Sequence, residues 1–370
     1  MKPYGLVLAG GGGKGAYQLG AWKAMRELGV QFDAVAGVSI GAINGALVVA
    51  DDYLSAEQLW NEIELDKGVN FTTPLRDPDN LFSKKNYPAL LREFLKNRGF
   101  DASPARDFLA PHIDEAKIRA AGIPYGVVTV QLSKNEPSGL ELFLDDIPEG
   151  QLLDYILASA CIPLASNIGP QGERFLDGGI YDNTPVAMLR RSGYNRIVVV
   201  DIASIKGVNY NLDFQNCEVT YIRSYNIDEL GASFDFSSEM NERRKLLGYL
   251  DAKKAFSYLL GKIYYFSPDD FRALVKRFGF RTFEQMEELA YALGIQTLRI
   301  YTGEEFLAAL LEEYSEKREL MRQNEQMNEK EPNGAYEKEW RNNLLRRLLQ
   351  RRNENEYKDA IKVLEQLSNP

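Results

Sequence analysis

Gly5-Leu6-Val7-Leu8-Ala9-Gly10-Gly11-Gly12-Gly13-Lys14-Gly15 is a short apolar run that breaks into glycines, and Leu19, Trp22, Met25 and Leu28 follow it before Gly29. Apolar residues at intervals of three trace one face of a helix, so the stretch reads strand, glycine loop, helix. The order repeats at once. Ala34-Val35-Ala36 is a second strand, Gly37-Val38-Ser39-Ile40-Gly41 a turn, and the uncharged residues 40–50 a helix packed on all sides. Further strands are expected over 125–130, 140–144, 174–176, 196–202 and 219–223. Ile197-Val198-Val199-Val200 lacks polar alternation, as a strand covered on both faces of a mostly parallel sheet does. Strands alternating with helices predict a layered α/β fold.

After about Asn226 the strand signals thin out. Residues 237–256, 283–293 and 304–320 read as amphipathic helices. Leu344, Leu345, Leu348 and Leu349 form one later stripe, and Ile361, Leu364 and Leu367 another, with a turn or linker at Glu331-Pro332-Asn333-Gly334. The mixed charges of residues 312–358 read as a solvated helix face.

Composition removes several classes of function. The chain has 370 residues, 45% hydrophobic and 26% charged, enough apolar material for a sizeable core. That excludes a disordered, collagen-like or disulfide-framework protein. A net charge of −9 speaks against nucleic-acid partners and against constitutive attachment to anionic lipid. Cys161 and Cys217 have no CxxC spacing and are expected as free thiols of a reducing compartment, with the cytoplasm as location. No targeting segment is expected at the amino end, and residues 34–50 fall short of the roughly 20 apolar residues a spanning helix needs. The single histidine, His112, excludes zinc sites with several imidazoles and the HExxH mechanism. It reads as surface or helix-capping material.

Three stretches carry chemistry. The glycine run exposes successive N–H groups at a helix start, where negative charge is favoured. It is no Walker A loop, since Leu8 stands where the first glycine belongs and Gly15 replaces the Ser/Thr. Two uses stay open. One is a dinucleotide fingerprint, with Gly10, Gly12 and Gly15 as GxGxxG and Asp33 downstream, although Asp33 precedes its strand. The other is an oxyanion hole. The second stretch, Gly37-Val38-Ser39-Ile40-Gly41, is the GxSxG of a nucleophile elbow. The third, Asp177-Gly178-Gly179, puts a carboxylate at a strand end where another loop can approach closely, or forms an ordinary Asp-Gly turn. His112 lies upstream of Asp177, the wrong order for an α/β-hydrolase triad. A serine hydrolase without a histidine base needs a carboxylate close to Oγ with its pKa raised by burial.

Taken in order, the glycine loop, Gly37-Val38-Ser39-Ile40-Gly41, Ala158-Ser159-Ala160-Cys161-Ile162-Pro163 and Asp177-Gly178-Gly179 resemble the patatin-like phospholipases. Asn183-Thr184-Pro185, Phe234-Asp235-Phe236 and Gly248-Tyr249-Leu250-Asp251 look like bacterial members. The resemblance covers roughly residues 4–257. It implies a three-layer α/β/α sandwich as a catalytic domain over residues 1–257; beyond it the amphipathic stripes predict a helical C-terminal region over 258–370. It also implies a lipid acyl hydrolase with a Ser-Asp dyad, no catalytic histidine, no metal and no cofactor. Carried over by motif, Ser39 is the nucleophile, Asp177 the general base, and the N–H groups of Gly11, Gly12 and Gly13 the oxyanion hole. Lys14 matches the family's basic position, and Gly10, Gly15, Gly37, Gly41, Gly178 and Gly179 support the loops. The implied partner is a fatty-acyl ester or phospholipid. The basic residues 341–352 with their interleaved leucines read as a transient contact with a membrane surface or a partner helix, set against packing in a helical bundle. A patatin-fold module without catalysis is the remaining rival.

Overall fold

β1 (Tyr4–Leu8) and β2 (Phe32–Val38) lie side by side and parallel, with Leu6 opposite Val35 and Leu8 opposite Gly37. The computed structural model describes residues 4–63, 100–101, 103–132, 136–160, 165–166, 173–203, 214, 216–328 and 357–368. Two compact units divide the chain, Met1–Ala255 and Phe256–Pro370.

In the first unit, the two-residue strands β3 (Phe100–Asp101) and β6 (Ala165–Ser166) pair only with each other. The main sheet adds β4 (Tyr125–Leu132), β5 (Pro137–Phe143), β7 (Arg174–Asp177), β8 (Arg196–Val200) and β9 (Glu218–Ile222). Its order is β5-β4-β2-β1-β8-β9, with β7 also on β4. β5 and β7 run antiparallel to β4, and every other pairing in this sheet is parallel. Leu6, Val7, Val35, Ala36, Val198 and Val199 are fully buried, so apolar side chains on both faces are covered.

Helices cover both faces. α1 (Gly15–Glu27) and α2 (Ile40–Val49) lead out of the two loops, and all ten residues of α2 are buried. α3 (Tyr53–Glu62), α4 (Ser103–Leu109) and α5 (Glu115–Ala120) follow, then α6 (Leu152–Ser159), which packs on β4, β7 and α2. On the opposite face, α7 (Val186–Arg191) sets Val186, Met188 and Leu189 against Val7, Ala36, Val38, Ile197 and Val199. α8 (Ser238–Ala255) lies along α1, and the two helices touch through bare backbone. A methyl group on Gly20 would overlap the carbonyl of Lys245, and one on Gly248 the carbonyl of Tyr17. Beside this crossing the Tyr17 hydroxyl donates to Asp251 at 2.7 Å. The result is the expected α/β fold with a mostly parallel sheet between helical layers.

Two strand ends and one helix face depart from the sequence reading for local reasons. β8 ends at Val200 rather than running to Ile202, because the Asp201 carboxylate accepts the Ala203 N–H at 2.9 Å and turns the chain. β5 stops at Phe143, whose N–H donates to Asp146, and Leu144 opens a short turn instead. The buried side of α8 includes Asn241, Arg244 and Asp251, so it is partly polar.

The second unit has its own aromatic core of Tyr264, Phe266, Phe283, Tyr301 and Phe306. β10 (Tyr265–Phe266) pairs parallel with β11 (Ile300–Tyr301), and α9 (Pro268–Phe278), α10 (Phe280–Leu293), α11 (Gly303–Asn328) and α12 (Lys358–Ser368) complete it. α9 and the two short strands were not in the sequence reading. Ala360 and Leu364 of α12 are buried, with Ile361 packed beside them. The leucine stripe at 344–349, the turn at 331–334, the basic residues 341–352 and Cys161 lie outside the described residues. Cys217 is a free thiol. Among the described residues no helix is long and apolar enough to cross a membrane.

Candidate active site

Strand register alone brings Ser39 and Asp177 together. β2 ends with Val38 opposite Val128 of β4, and the next residue of β4, Thr129, faces Asp177 at the end of β7. β2 runs parallel to β4 and β7 antiparallel, so the two strands meet end to end along one edge of β4. Ser39 is the first residue past one end, and Asp177 the last residue of the other.

The serine sits on a sharp elbow. Its φ of 56° and ψ of −126° belong to a region non-glycine residues rarely occupy, at a cost of order 1–3 kcal/mol. Surrounding contacts hold it there. The Ser39 N–H donates to the Ser159 hydroxyl at 2.8 Å, and that hydroxyl donates to the Val128 carbonyl at 2.6 Å. The Ser39 carbonyl accepts from Ala42 at 2.9 Å and starts α2. Both flanking glycines are required: a Cβ on Gly37 would overlap the Gly41 carbonyl, and one on Gly41 the Leu8 carbonyl.

Asp177 accepts the Gly179 N–H at 2.8 Å and a hydrogen bond from the Ser39 side chain. Part of the residue reaches the surface, but its carboxyl group is packed round by protein. That burial outweighs both hydrogen bonds and pushes the pKa up to about 6. A carboxyl titrating near neutrality thereby accepts from the serine hydroxyl. The Thr129 hydroxyl lies within 3.0 Å of the Ala158 carbonyl and 3.1 Å of the Leu176 carbonyl, tying the end of α6 to the strand that carries Asp177. Gly178 passes close against the Val128 carbonyl, leaving no room for a side chain.

The glycine loop is held along its length. Gln18 donates to the Ala9 carbonyl at 2.7 Å, Asn183 to Gly10 at 3.2 Å, and Asn44 to Gly15 at 3.1 Å. A Cβ on Gly10 would lie 3.1 Å from that of Ser39, so the loop passes directly over the elbow. Among the described residues, the N–H groups of Gly11 and Gly12 have no partner within the chain. Gly13 differs from the sequence expectation: its N–H donates to the Ser233 carbonyl at 2.7 Å and is engaged in the interior. Lys14 is buried, 3% exposed, and its ammonium is held below the ordinary lysine range, first by that burial and then by the charge of Arg244.

The other sequence candidates lie elsewhere. Asp33 is exposed at the amino end of β2, whereas the glycine loop leaves the carboxyl end of the parallel β1. The ribose contact of a dinucleotide fold is therefore missing. His112 stands edge-on to Phe108 with ring centroids 5.7 Å apart, and the cap of α5 is Asp114, whose carboxylate accepts from Lys117. Among the described residues no group of three or more His, Cys, Asp or Glu side chains could hold a metal ion. Sequence reasoning assigned no role to Ser159, Thr129, Asn183 or Arg244. Ser159 and Asn183 do fall within quoted motifs, which was the available signal.

Residues 6–190, half of the chain, match the family model described as patatin-like phospholipase. Lysophospholipase NTE1 of Cryptococcus neoformans is 26% identical over 203 residues, covering 54% of this chain and 11% of that protein. Patatin-like phospholipase domain-containing protein 7 of Rattus norvegicus is 26% identical over 204 residues, 54% of this chain and 13% of that one. Lysophospholipase nte1 of Aspergillus oryzae is 26% identical over 327 residues, 87% and 19% respectively. The chain thus spans between about a tenth and a fifth of these relatives' lengths. Among solved structures, VipD from Legionella pneumophila has a TM-score of 0.40 at 16% identity, covering all of this chain and 85% of that one. The type III effector ExoU has a TM-score of 0.39 at 14% identity, covering 98% and 75%. Since the family match runs from the first strand through the glycine loop and the Ser39 elbow to Asp177 and beyond, this chain belongs to the patatin-like phospholipase family.

Proposed function

We propose that the chain is a serine acyl hydrolase cleaving fatty-acyl esters of phospholipids or lysophospholipids, with Ser39 as nucleophile and Asp177 as its base. The carrying observation is the end-to-end meeting of β2 and β7, which sets a carboxyl group of pKa about 6 on the Ser39 hydroxyl. At neutral pH Asp177 is ionised and takes the proton as Ser39 Oγ attacks the acyl carbonyl carbon. The N–H groups of Gly11 and Gly12 hold the oxygen that becomes negative. Collapse expels the alcohol, which leaves with the proton from Asp177. Water then gives a proton to Asp177 and attacks the acyl-enzyme; fatty acid departs and Ser39 is reprotonated.

The lysophospholipase names of the relatives support the substrate class. The division into compact units at Ala255 and Phe256 supports a catalytic domain over 1–257 and a separate helical region over 258–370. Residues 234–236 and 248–251 support a bacterial affiliation, and low cysteine usage a cytoplasmic place of action. A phospholipid substrate calls for transient contact with a membrane surface, for which vesicle sedimentation is the test.

Purified wild type, Ser39→Ala and Asp177→Asn are to be compared on a p-nitrophenyl acyl ester and a lysophospholipid. Wild type should turn over both, and each variant should lose at least about a thousandfold. Fluorophosphonate should label wild type at Ser39 alone. A folded wild type that neither hydrolyses nor labels is a module without catalysis, and full activity in either variant removes the assignment.

A further inference from the structure

Phe234-Asp235-Phe236 and α8 take no part in the reaction as written, yet they enclose a buried charge. Arg244 of α8 is fully buried. Among the described residues it forms no ion pair, and its guanidinium is spent on carbonyls instead. Nε donates to Leu230 at 2.8 Å, Nη2 to Ala232 at 2.8 Å, and Nη1 to Asp235 at 2.5 Å and Gly13 at 2.9 Å, with the Asn241 side chain at 3.4 Å. Segment 230–235 is thus wrapped around one cation, and Gly13 of the glycine loop is drawn into the same wrapping.

The contact between segment and loop is two-sided. The Ser233 carbonyl accepts the Gly13 N–H at 2.7 Å while Arg244 binds the Gly13 carbonyl, so the peptide groups on both sides of this residue are gripped. Gly12, at φ +60°, lies so close to the Ser233 carbonyl that a Cβ would overlap it, and a Cβ on Gly13 would stand 2.5 Å from the Asp235 carbonyl. Immediately upstream are Gly11 and Gly12, whose N–H groups have no partner among the described residues.

Filling this space would need only an apolar side chain. Burying a guanidinium is costly, and here it stands near a second buried cation, since its charge helps depress the Lys14 ammonium. The carboxylates of Asp235, near Arg244, and Asp228, near Lys14, offset part of that cost.

We propose that Arg244 is a positioning residue of the oxyanion loop: by clamping segment 230–235 onto Gly13 it aims the Gly11 and Gly12 N–H groups. This rests on the hydrolase reading above. The guanidinium touches no reacting atom and acts through the backbone of Gly13.

The test compares the full chain with Arg244→Lys and Arg244→Met, using Ser39→Ala as the blank. Active sites are titrated to completion with a fluorophosphonate, and kcat is expressed per titrated site. For Arg244→Met we expect kcat per site to fall about a hundredfold, the lower end for loss of an oxyanion donor, with KM within about threefold. Arg244→Lys, which keeps the charge but not the fork, should recover part of the loss. Fewer titratable sites with wild-type turnover at each would reveal a purely structural role and overturn the proposal. If Arg244→Met does not fold, Arg244→Lys decides, and wild-type turnover per site in that variant also overturns it. Wild type without Ser39-dependent turnover defeats the hydrolase reading itself and carries this inference down with it.

Discussion

The backbone N–H of Ser39 is bound by the hydroxyl of Ser159, 120 residues away in the chain, and the same hydroxyl donates to Val128 beside it. One buried side chain therefore fastens the elbow to the strand opposite which Asp177 is set. Ser159→Ala would leave an N–H and a carbonyl without partners, at about 1–3 kcal/mol for each unsatisfied group. We expect a melting temperature lower by several degrees and kcat reduced at least tenfold, read by thermal denaturation and steady-state kinetics. Unchanged kcat in the folded variant would show that the elbow holds without it.

Activity should follow the ionisation of Asp177. Its carboxyl must be charged to act as base, and burial has moved its pKa up to about 6. The value of kcat/KM should be level at pH 7 to 8 and fall tenfold per unit well below pH 6, measured by quenched assay. His112→Gln should leave this limb in place; its loss would assign the titration to the imidazole.

The same shift makes Asp177 a burden on stability. A carboxyl of pKa about 6 when folded and about 3.9 when unfolded binds its proton more tightly in the native state. Its contribution is therefore fully present below pH 4 and lost as pH rises through 6, leaving a deficit of up to about 3 kcal/mol at pH 7. Asp177→Asn should abolish turnover yet raise the melting temperature at pH 7.5, with the gain gone at pH 4. Equal melting temperatures at both pH values would contradict the burial argument.

Gly41 admits no side chain. Gly41→Ala would drive a methyl group into the Leu8 carbonyl at the root of the elbow, and relief by backbone shift costs about 1–3 kcal/mol or more. Labelling of Ser39 by fluorophosphonate should slow at least tenfold even in protein that remains folded.

Much of the fold was legible because β1 and β8 carry unbroken apolar runs, Leu6-Val7-Leu8 and Ile197-Val198-Val199-Val200, and β2 the shorter Ala34-Val35-Ala36. Register was not legible. Nothing in the local pattern states that Val38 faces Val128, yet the meeting of Ser39 with Asp177 depends on it. Two-residue strands such as β10 and β11 are too short to show a period, and α9 follows β10 directly. Ser39, Asp177 and the glycine loop stand out as motifs. Arg244 does not, because a charged residue on a helix reads as solvent-facing, and only the carbonyls gathered around it in three dimensions make its burial tolerable. Gly13 reads like its neighbours until the Ser233 carbonyl is seen to claim its N–H.

The glycine crossing of α1 and α8 leaves no slack between the two helices. With carbonyls resting on bare Cα atoms at Gly20 and Gly248, no side chain is available there to rotate and absorb a displacement. α1 springs from the glycine loop, and Arg244 lies one turn before Gly248, so this pin fixes the height at which the loop stands over the serine. A single added carbon at the pin, well away from any substrate, would detune the reaction by lifting one rod off the other.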